Sequence, residues 1–207
     1  MTTQKSIDEQ RFFGYGKYDF YPKVLKRISL SKDEKILDVG CGIGKLSRYL
    51  KEFNLYGCDL TESFVKQAKK EFYKEVKVAD ICNLPYKDKE FDKVICLETF
   101  VFIWDTEKAM KELLRVCKGE IIIVDPNFNF AGIKNFLSNN WNNFIDSIVI
   151  SRIKWANKSF HKKIAKQFGL KLKTKYFSHR FELIRNVFGN FLSGSIIGIF
   201  KKRGGDE

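Results

Sequence analysis

Between residues 35 and 124 the apolar positions fall in short runs, each followed by a longer stretch in which they recur every three or four residues. The short runs, 35–39, 55–58, 76–79, 92–97 and 120–124, are rich in Val, Ile and Leu and predict five strands. Between them 45–53, 62–71 and 106–117 have helical spacing. Alternation of this kind predicts βαβ units, a Rossmann-like α/β fold with a mostly parallel sheet between two layers of helices. After Gly169 the pattern changes: 170–177 and 195–201 read as two further strands with no helical crossover of good length between them, a pair able to run antiparallel.

Two segments fall outside the alternation. Residues 11–21, RFFGYGKYDFY, are aromatic-rich and precede a helix-like stretch at 22–28. Residues 133–153 place Ile133, Phe136, Leu137, Trp141, Phe144, Ile145, Ile148, Val149 and Ile153 on one face of a helix about 30 Å long. One domain over 1–207 is therefore expected: an N-terminal lid or helix at 1–30, a core at 33–127, a helical insertion at 128–168 and a strand pair at 169–203.

Composition narrows the class. With 207 residues and 44% hydrophobic content the chain can bury one substantial core. It holds no run of eighteen apolar residues, and its first ten are polar, so neither a transmembrane segment nor a secretory signal is expected and the location expected is cytoplasmic. Five dispersed cysteines with no CxxC pair predict no zinc or other metal site. The net charge of +13 is uneven, since residues 154–207 hold 13 Lys and Arg against three acids. Such a basic third offers a surface to RNA, to phospholipid headgroups or to a phosphorylated substrate, and reads equally as the solvated face of a Lys-rich protein.

The chemistry concentrates at strand ends. Residues 36–44, ILDVGCGIG, are a hydrophobic strand running into a glycine-rich turn, where the backbone can turn tightly and approach a ligand. The glycines run GxGxG; the dinucleotide fingerprint GxGxxG would need a glycine where Lys45 stands. Asp59 ends the second strand, where a carboxylate can accept hydrogen bonds from vicinal ribose hydroxyls, and Asp80 ends the third, within reach of an adenine amino group, with Ile81 beside it to cover the ring.

ILDVGCGIG, GCDL, ADICNLPYKDKEFDKVICLETFVFIWD and AMKELLRVCKGEIIIVDPN, over roughly residues 33–127, resemble the successive motifs of class I S-adenosylmethionine-dependent methyltransferases, especially the branch acting on quinones, sterols and other small molecules. The resemblance implies S-adenosyl-L-methionine as cofactor and a seven-stranded sheet with an antiparallel last strand. It places Asp38, Gly40, Cys41, Gly42 and Gly44 around the methionine moiety, Asp59 and Leu60 at the ribose, and Asp80 and Ile81 at the adenine. The backbone around Leu97 and Glu98 would receive the methionine amino group. Two departures stand out. The family's proline-glycine turn before the fifth strand reads Cys117-Lys118-Gly119-Glu120, and the Asn-Pro-Pro-Tyr of amino-directed DNA methyltransferases is replaced by Leu97-Glu98-Thr99-Phe100.

Methyl transfer from a sulfonium is an in-line displacement that requires alignment and exclusion of water, and a base only when the acceptor carries a proton. Candidates for that base are Glu98, His161, His179, Tyr15 and Tyr18; His161, followed by Lys162 and Lys163, reads as a surface residue. Phe12, Phe13, Tyr15, Tyr18, Phe20 and Tyr21 form the expected lid. The expected acceptor is a small organic or lipid-like molecule. The alternatives are an RNA methyltransferase using the basic third, a nicotinamide-dependent oxidoreductase, which the glycine spacing disfavours, and a non-catalytic cofactor-binding protein.

Overall fold

A parallel sheet begins where the first short apolar run begins. The computed structural model of the chain describes residues 19–126, 158–177 and 195–203. Its strands are β1 (Lys35–Val39), β2 (Asn54–Asp59), β3 (Glu75–Val78), β4 (Phe91–Leu97), β5 (Cys117–Pro126), β6 (Leu170–Phe177) and β7 (Ser195–Lys202). They form one sheet in the order β3-β2-β1-β4-β5-β7-β6. The first five are parallel, β7 runs antiparallel to β5, and β6 antiparallel to β7. The chain steps from β1 out to β3 and then crosses to β4 on the other side of β1, so the strand order reverses between β1 and β4. At such a switch point the connections diverge and leave a crevice beyond the carboxyl ends of the strands.

The helices are α1 (Tyr21–Leu25), α2 (Glu62–Ala68), α3 (Thr106–Val116) and α4 (Lys158–Gln167). One core cluster joins Leu37, Val39 and Ile123 of the sheet to Met110 and Leu113 of α3 and Ile164 of α4; a second joins Ile36, Ile95, Ile122 and Ile197 to Val24 of α1 and Leu46. Central strands buried on both faces explain why β1, β4 and β5 read as unbroken apolar runs. On α3 the side chains Ala109, Met110, Leu113 and Val116 repeat at helical spacing, and the Asp105 carboxylate caps the first turn by accepting the Lys108 N–H at 2.8 Å.

Several boundaries differ from the sequence reading. The helix expected at 45–53 is only a 3-10 turn, Lys45–Tyr49. There the Ser47 hydroxyl donates to the Gly44 carbonyl at 2.8 Å and accepts the Phe72 N–H at 3.1 Å, hydrogen bonds that compete with α-helical continuation. The helix expected at 62–71 stops at Ala68. The turn expected at Cys117–Glu120 is instead part of β5, which begins at Cys117; the pairing with β4 shifts between Phe91 and Lys93, a bulge. Gly119 permits it, because a Cβ there would lie 2.6 Å from the Asp92 carbonyl oxygen. Most of the aromatic segment at 11–21, with Tyr15 and Tyr18, the helix expected at 133–153, and His179 lie outside the described residues.

Arg115 of α3 fastens the segment that follows β3. Its guanidinium donates to the Leu84 and Tyr86 carbonyls at 2.9 and 2.7 Å and pairs with Glu112 and Asp88, while Glu112 accepts the Leu84 N–H at 2.7 Å. Arg115→Lys should lose about 1–3 kcal/mol of stability in denaturant unfolding, because an ammonium cannot serve these carbonyls and carboxylates together. An unchanged midpoint would show that the fork is dispensable. On β6, Leu170 and Leu172 pack inward while Lys171 and Lys173 are exposed, and no described strand pairs with its outer side. Among the described residues no helix is long and apolar enough to cross a membrane, and no cluster of His, Cys, Asp and Glu could hold a metal ion.

Candidate functional site

The glycine turn lies at the switch point. Gly40, Gly42 and Gly44 all have left-handed backbones, φ 74°, 54° and 88°. The Gly40 and Cys41 N–H groups donate to the Cys58 carbonyl at 2.8 and 3.0 Å, which ties the turn to the end of β2. Gly40 has a second constraint, because a Cβ there would stand 2.3 Å from the Thr99 Oγ1. Thr99, just beyond β4, is locked by its hydroxyl, which bonds the Leu97 and Gly40 carbonyls at 3.1 and 3.3 Å. The Thr99 side chain thus ties the ends of β1 and β4 together at the switch point.

Asp59 holds this turn as well as facing outward. Its Oδ2 accepts the Gly42 N–H and its Oδ1 the Thr61 N–H, both at 2.9 Å. Each oxygen of a carboxylate can accept a further hydrogen bond, so two directed sites suit a vicinal diol. Leu60 beside it is 70% exposed, an apolar surface at the same strand end. Asp80 is exposed, with Oδ1 engaged by the Cys82 N–H at 2.8 Å. Ile81, expected to cover an adenine ring, has its side chain buried in the core with Val39, Cys58 and Leu84, which leaves little of it to face a ligand. Exposed aromatic surface comes instead from Phe102 and from Trp104, 78% exposed, in the loop after β4, which meets the Asp80 turn where the Cys82 thiol bonds the Asp105 carbonyl.

The inner part of the site is acidic and largely buried. Asp38 is buried, and its Oδ2 accepts the Tyr73 hydroxyl at 2.6 Å. Burial outweighs this hydrogen bond and, with Asp59 nearby, pushes its carboxyl up to about 7. Glu98 has a left-handed backbone, φ 52°, uncommon for a side chain of this kind and characteristic of functional sites. Burial and the neighbouring Asp125 raise its carboxyl to about 7 as well. The Cys41 thiol is driven far up by burial and by Asp38 and Asp59, which keeps it an uncharged lining group. Leu97 is buried, and its carbonyl, bonded by Thr99, is the element facing the turn.

His161 is fully buried, contrary to its expected place on the surface. The flanking Lys162 is exposed, but His161, Ile164 and Ala165 form the inward stripe of α4, and the imidazole Nε2 stands 3.1 Å from Asp125 Oδ2 at the end of β5. Enclosed in this way it cannot touch an acceptor. Tyr73, Thr99 and Asp125 were not singled out from the sequence. Asp125 carried a usable signal, an acid ending a strand as Asp59 and Asp80 do; Tyr73, between a helix and a strand, carried none.

The turn and acids fit S-adenosylmethionine. Gly40, Gly42 and Gly44 give the strand end a left-handed turn, Asp59 sets a carboxylate at that turn, and the buried Asp38 and half-buried Glu98 supply carboxyls that a cationic group would help to ionise.

Residues 37–124 match the family described as methyltransferase domain. An uncharacterised protein of Methanocaldococcus jannaschii is 36% identical over 107 residues, 50% of this chain and 46% of that protein. The chloroplastic tocopherol O-methyltransferase of Arabidopsis thaliana is 39% identical over 106 residues, 45% of this chain and 30% of that enzyme. The chain spans about half or less of the length of these curated relatives. Among solved structures, one from the complex of the Haloferax volcanii Trm112 methyltransferase activator with a methyltransferase superposes with a TM-score of 0.68 at 16% identity, covering 95% of each chain. At that identity the superposition speaks for the fold.

Proposed function

We propose, from the premise that residues 37–124 are a methyltransferase domain of the S-adenosylmethionine-dependent class, that this chain transfers a methyl group to a small organic or lipid-like acceptor. The observation that carries the reading is the left-handed glycine turn locked to Asp59 at the point where the strand order reverses. Bound there, the cofactor supplies a methyl group on an already activated sulfur leaving group. The chain's own residues do the rest. Gly40–Gly44 admit the ligand to the backbone, Asp59 and Asp80 orient its nucleoside, and Asp38 balances its positive charge. Glu98, on the β4 side of the turn and therefore towards β5, is placed to take a proton from an acceptor.

The relatives include a methyltransferase of Streptomyces halstedii and a tRNA (carboxymethyluridine(34)-5-O)-methyltransferase of Arabidopsis thaliana, 28% and 34% identical. A second reading, an RNA acceptor, rests on Lys158, Lys162, Lys166 and Arg203, which line an open cleft. That cleft lies where β6 begins and β7 ends, at the amino end of β5 and away from the glycine turn. This separation favours a small acceptor.

Calorimetric titration with S-adenosylmethionine, S-adenosylhomocysteine and NAD tests the proposal. Both adenosyl ligands should bind and NAD should not, and Asp59→Ala should weaken binding about tenfold or more through loss of charge-assisted hydrogen bonds. Binding of NAD alone would refute the reading.

A further inference from the structure

Helix α4 breaks a pattern that α2 and α3 share. On those two a lysine one turn after a glutamate pairs with it, Lys66 with Glu62 at 3.1 Å and Lys111 with Glu107 at 2.7 Å. On α4 the positions at that spacing are Lys158, Lys162 and Lys166, so one face of the helix carries a row of like charges. The row is about 12 Å long, with a cation about every 6 Å. Neighbouring ammonium groups repel, and Lys158 stands in the first turn, where the helix dipole favours an acid and the helix has none. Folding alone would be better served by glutamate at one or more of these positions. The row lines an open cleft of about 520 Å³, which Arg203, just beyond β7, and Leu172 and Thr174 of β6 also line. All four cations are exposed, none has an ion pair, and no acid lines the cleft among the described residues. Glu107, which meets α4 at Gln167 at 3.0 Å, is already held by Lys111. A second cleft differs in this respect, since its Lys93 pairs with Glu34 and Glu120 and its Lys118 with Asp92.

We propose that this cleft binds a chain of linked phosphate groups, either a free polyphosphate or the backbone of a single nucleic-acid strand, at a site separate from methyl transfer. Linked phosphates repeat their charge along a line, as the lysines of α4 do. Ammonium groups serve them as point charges, and the Arg203 guanidinium can hold one phosphate through two parallel hydrogen bonds. An isolated phosphate would leave most of the row unused, and a flat anionic bilayer would meet only the rim of a concave site. The cleft lies at the amino end of β5, at the opposite end of the sheet from the glycine turn, so the ligand it holds is not the methyl acceptor. The inference therefore stands whether or not the chain transfers a methyl group.

Calorimetric titration of the full chain in dilute buffer with sodium tripolyphosphate, with a short oligouridylate and with orthophosphate tests the site. Tripolyphosphate or the oligouridylate should bind, and Lys162→Ser with Lys166→Ser should weaken that binding about tenfold or more. Lys171→Ser with Lys173→Ser removes the same charge from the other face of β6 and should change affinity by less than about twofold. These side chains are exposed, so both double variants should keep the parent's circular dichroism. Tripolyphosphate that binds and displaces the oligouridylate identifies a free phosphate chain as sufficient; an oligouridylate that binds alone identifies the nucleic-acid backbone. Three results would overturn the proposal: neither probe binding, orthophosphate binding as tightly as either, or the two double variants weakening binding equally. The last would mean that the net charge of +13 attracts anions without a site.

Discussion

Gly40→Ala should cost about 2–4 kcal/mol of stability and abolish measurable binding of S-adenosylmethionine. Two costs act together. The left-handed backbone at φ 74° penalises any Cβ by about 1–2 kcal/mol, and the new methyl would lie 2.3–2.7 Å from three atoms of the Thr99 side chain. Thr99 cannot swing away freely, because its hydroxyl is held by the Leu97 and Gly40 carbonyls. The double variant Gly40→Ala with Thr99→Ala should recover only part of the steric cost, since the Cβ at position 99 stays 2.7 Å from the new methyl, and none of the conformational part. Denaturant unfolding measures both, and a Gly40→Ala protein as stable as the parent would contradict the geometry of the turn.

The second large effect is on pH. Asp38 and Glu98 have ordinary values of 3.8 and 4.5 and are raised to about 7 in the fold, so between those limits the folded chain holds protons that the unfolded chain has released. Their contribution to stability is complete below about pH 4 and is lost as pH rises through about 7. A cationic ligand reverses the preference by favouring the ionised carboxyls. Affinity for S-adenosylmethionine should therefore rise from pH 5.5 to pH 8, by about thirtyfold if one carboxyl must ionise and about a thousandfold if both must. Near pH 6 binding should release protons, detectable by calorimetry in buffers of different ionisation enthalpy, and Asp38→Asn should flatten the profile. Flat affinity with no proton release would show that neither carboxyl answers the ligand's charge.

How far the chain can be read without coordinates depends on range. The strand-and-glycine pattern at 36–44 and the acids Asp59 and Asp80 are local signals, and each stands at the strand end its position implied. The antiparallel pairing of 170–177 with 195–202 followed from the missing crossover helix between them. What escaped was mostly non-local. The Ser47 hydroxyl shortens a helix through Phe72, and Gly119 becomes a bulge because of Asp92. His161 looked solvated beside two lysines although Ile164 and Ala165 completed an inward stripe; its partner is 36 residues earlier in the chain. The Tyr73 hydroxyl reaches Asp38 across 35 residues, a contact no spacing rule foretells.

The lysines of β6 have a bearing on how the molecule behaves in company. Among the described strands β6 is outermost, and such a strand is a template onto which another copy could zip, extending the sheet from molecule to molecule. Exposed Lys171 and Lys173 alternate along that rim, so a second copy laid against it would set ammonium groups against ammonium groups. That repulsion reaches only about 8 Å at physiological ionic strength and about 3 Å in molar salt. Self-association of concentrated protein should accordingly increase with added salt, which light scattering would measure, and scattering that falls or stays level with salt would contradict it.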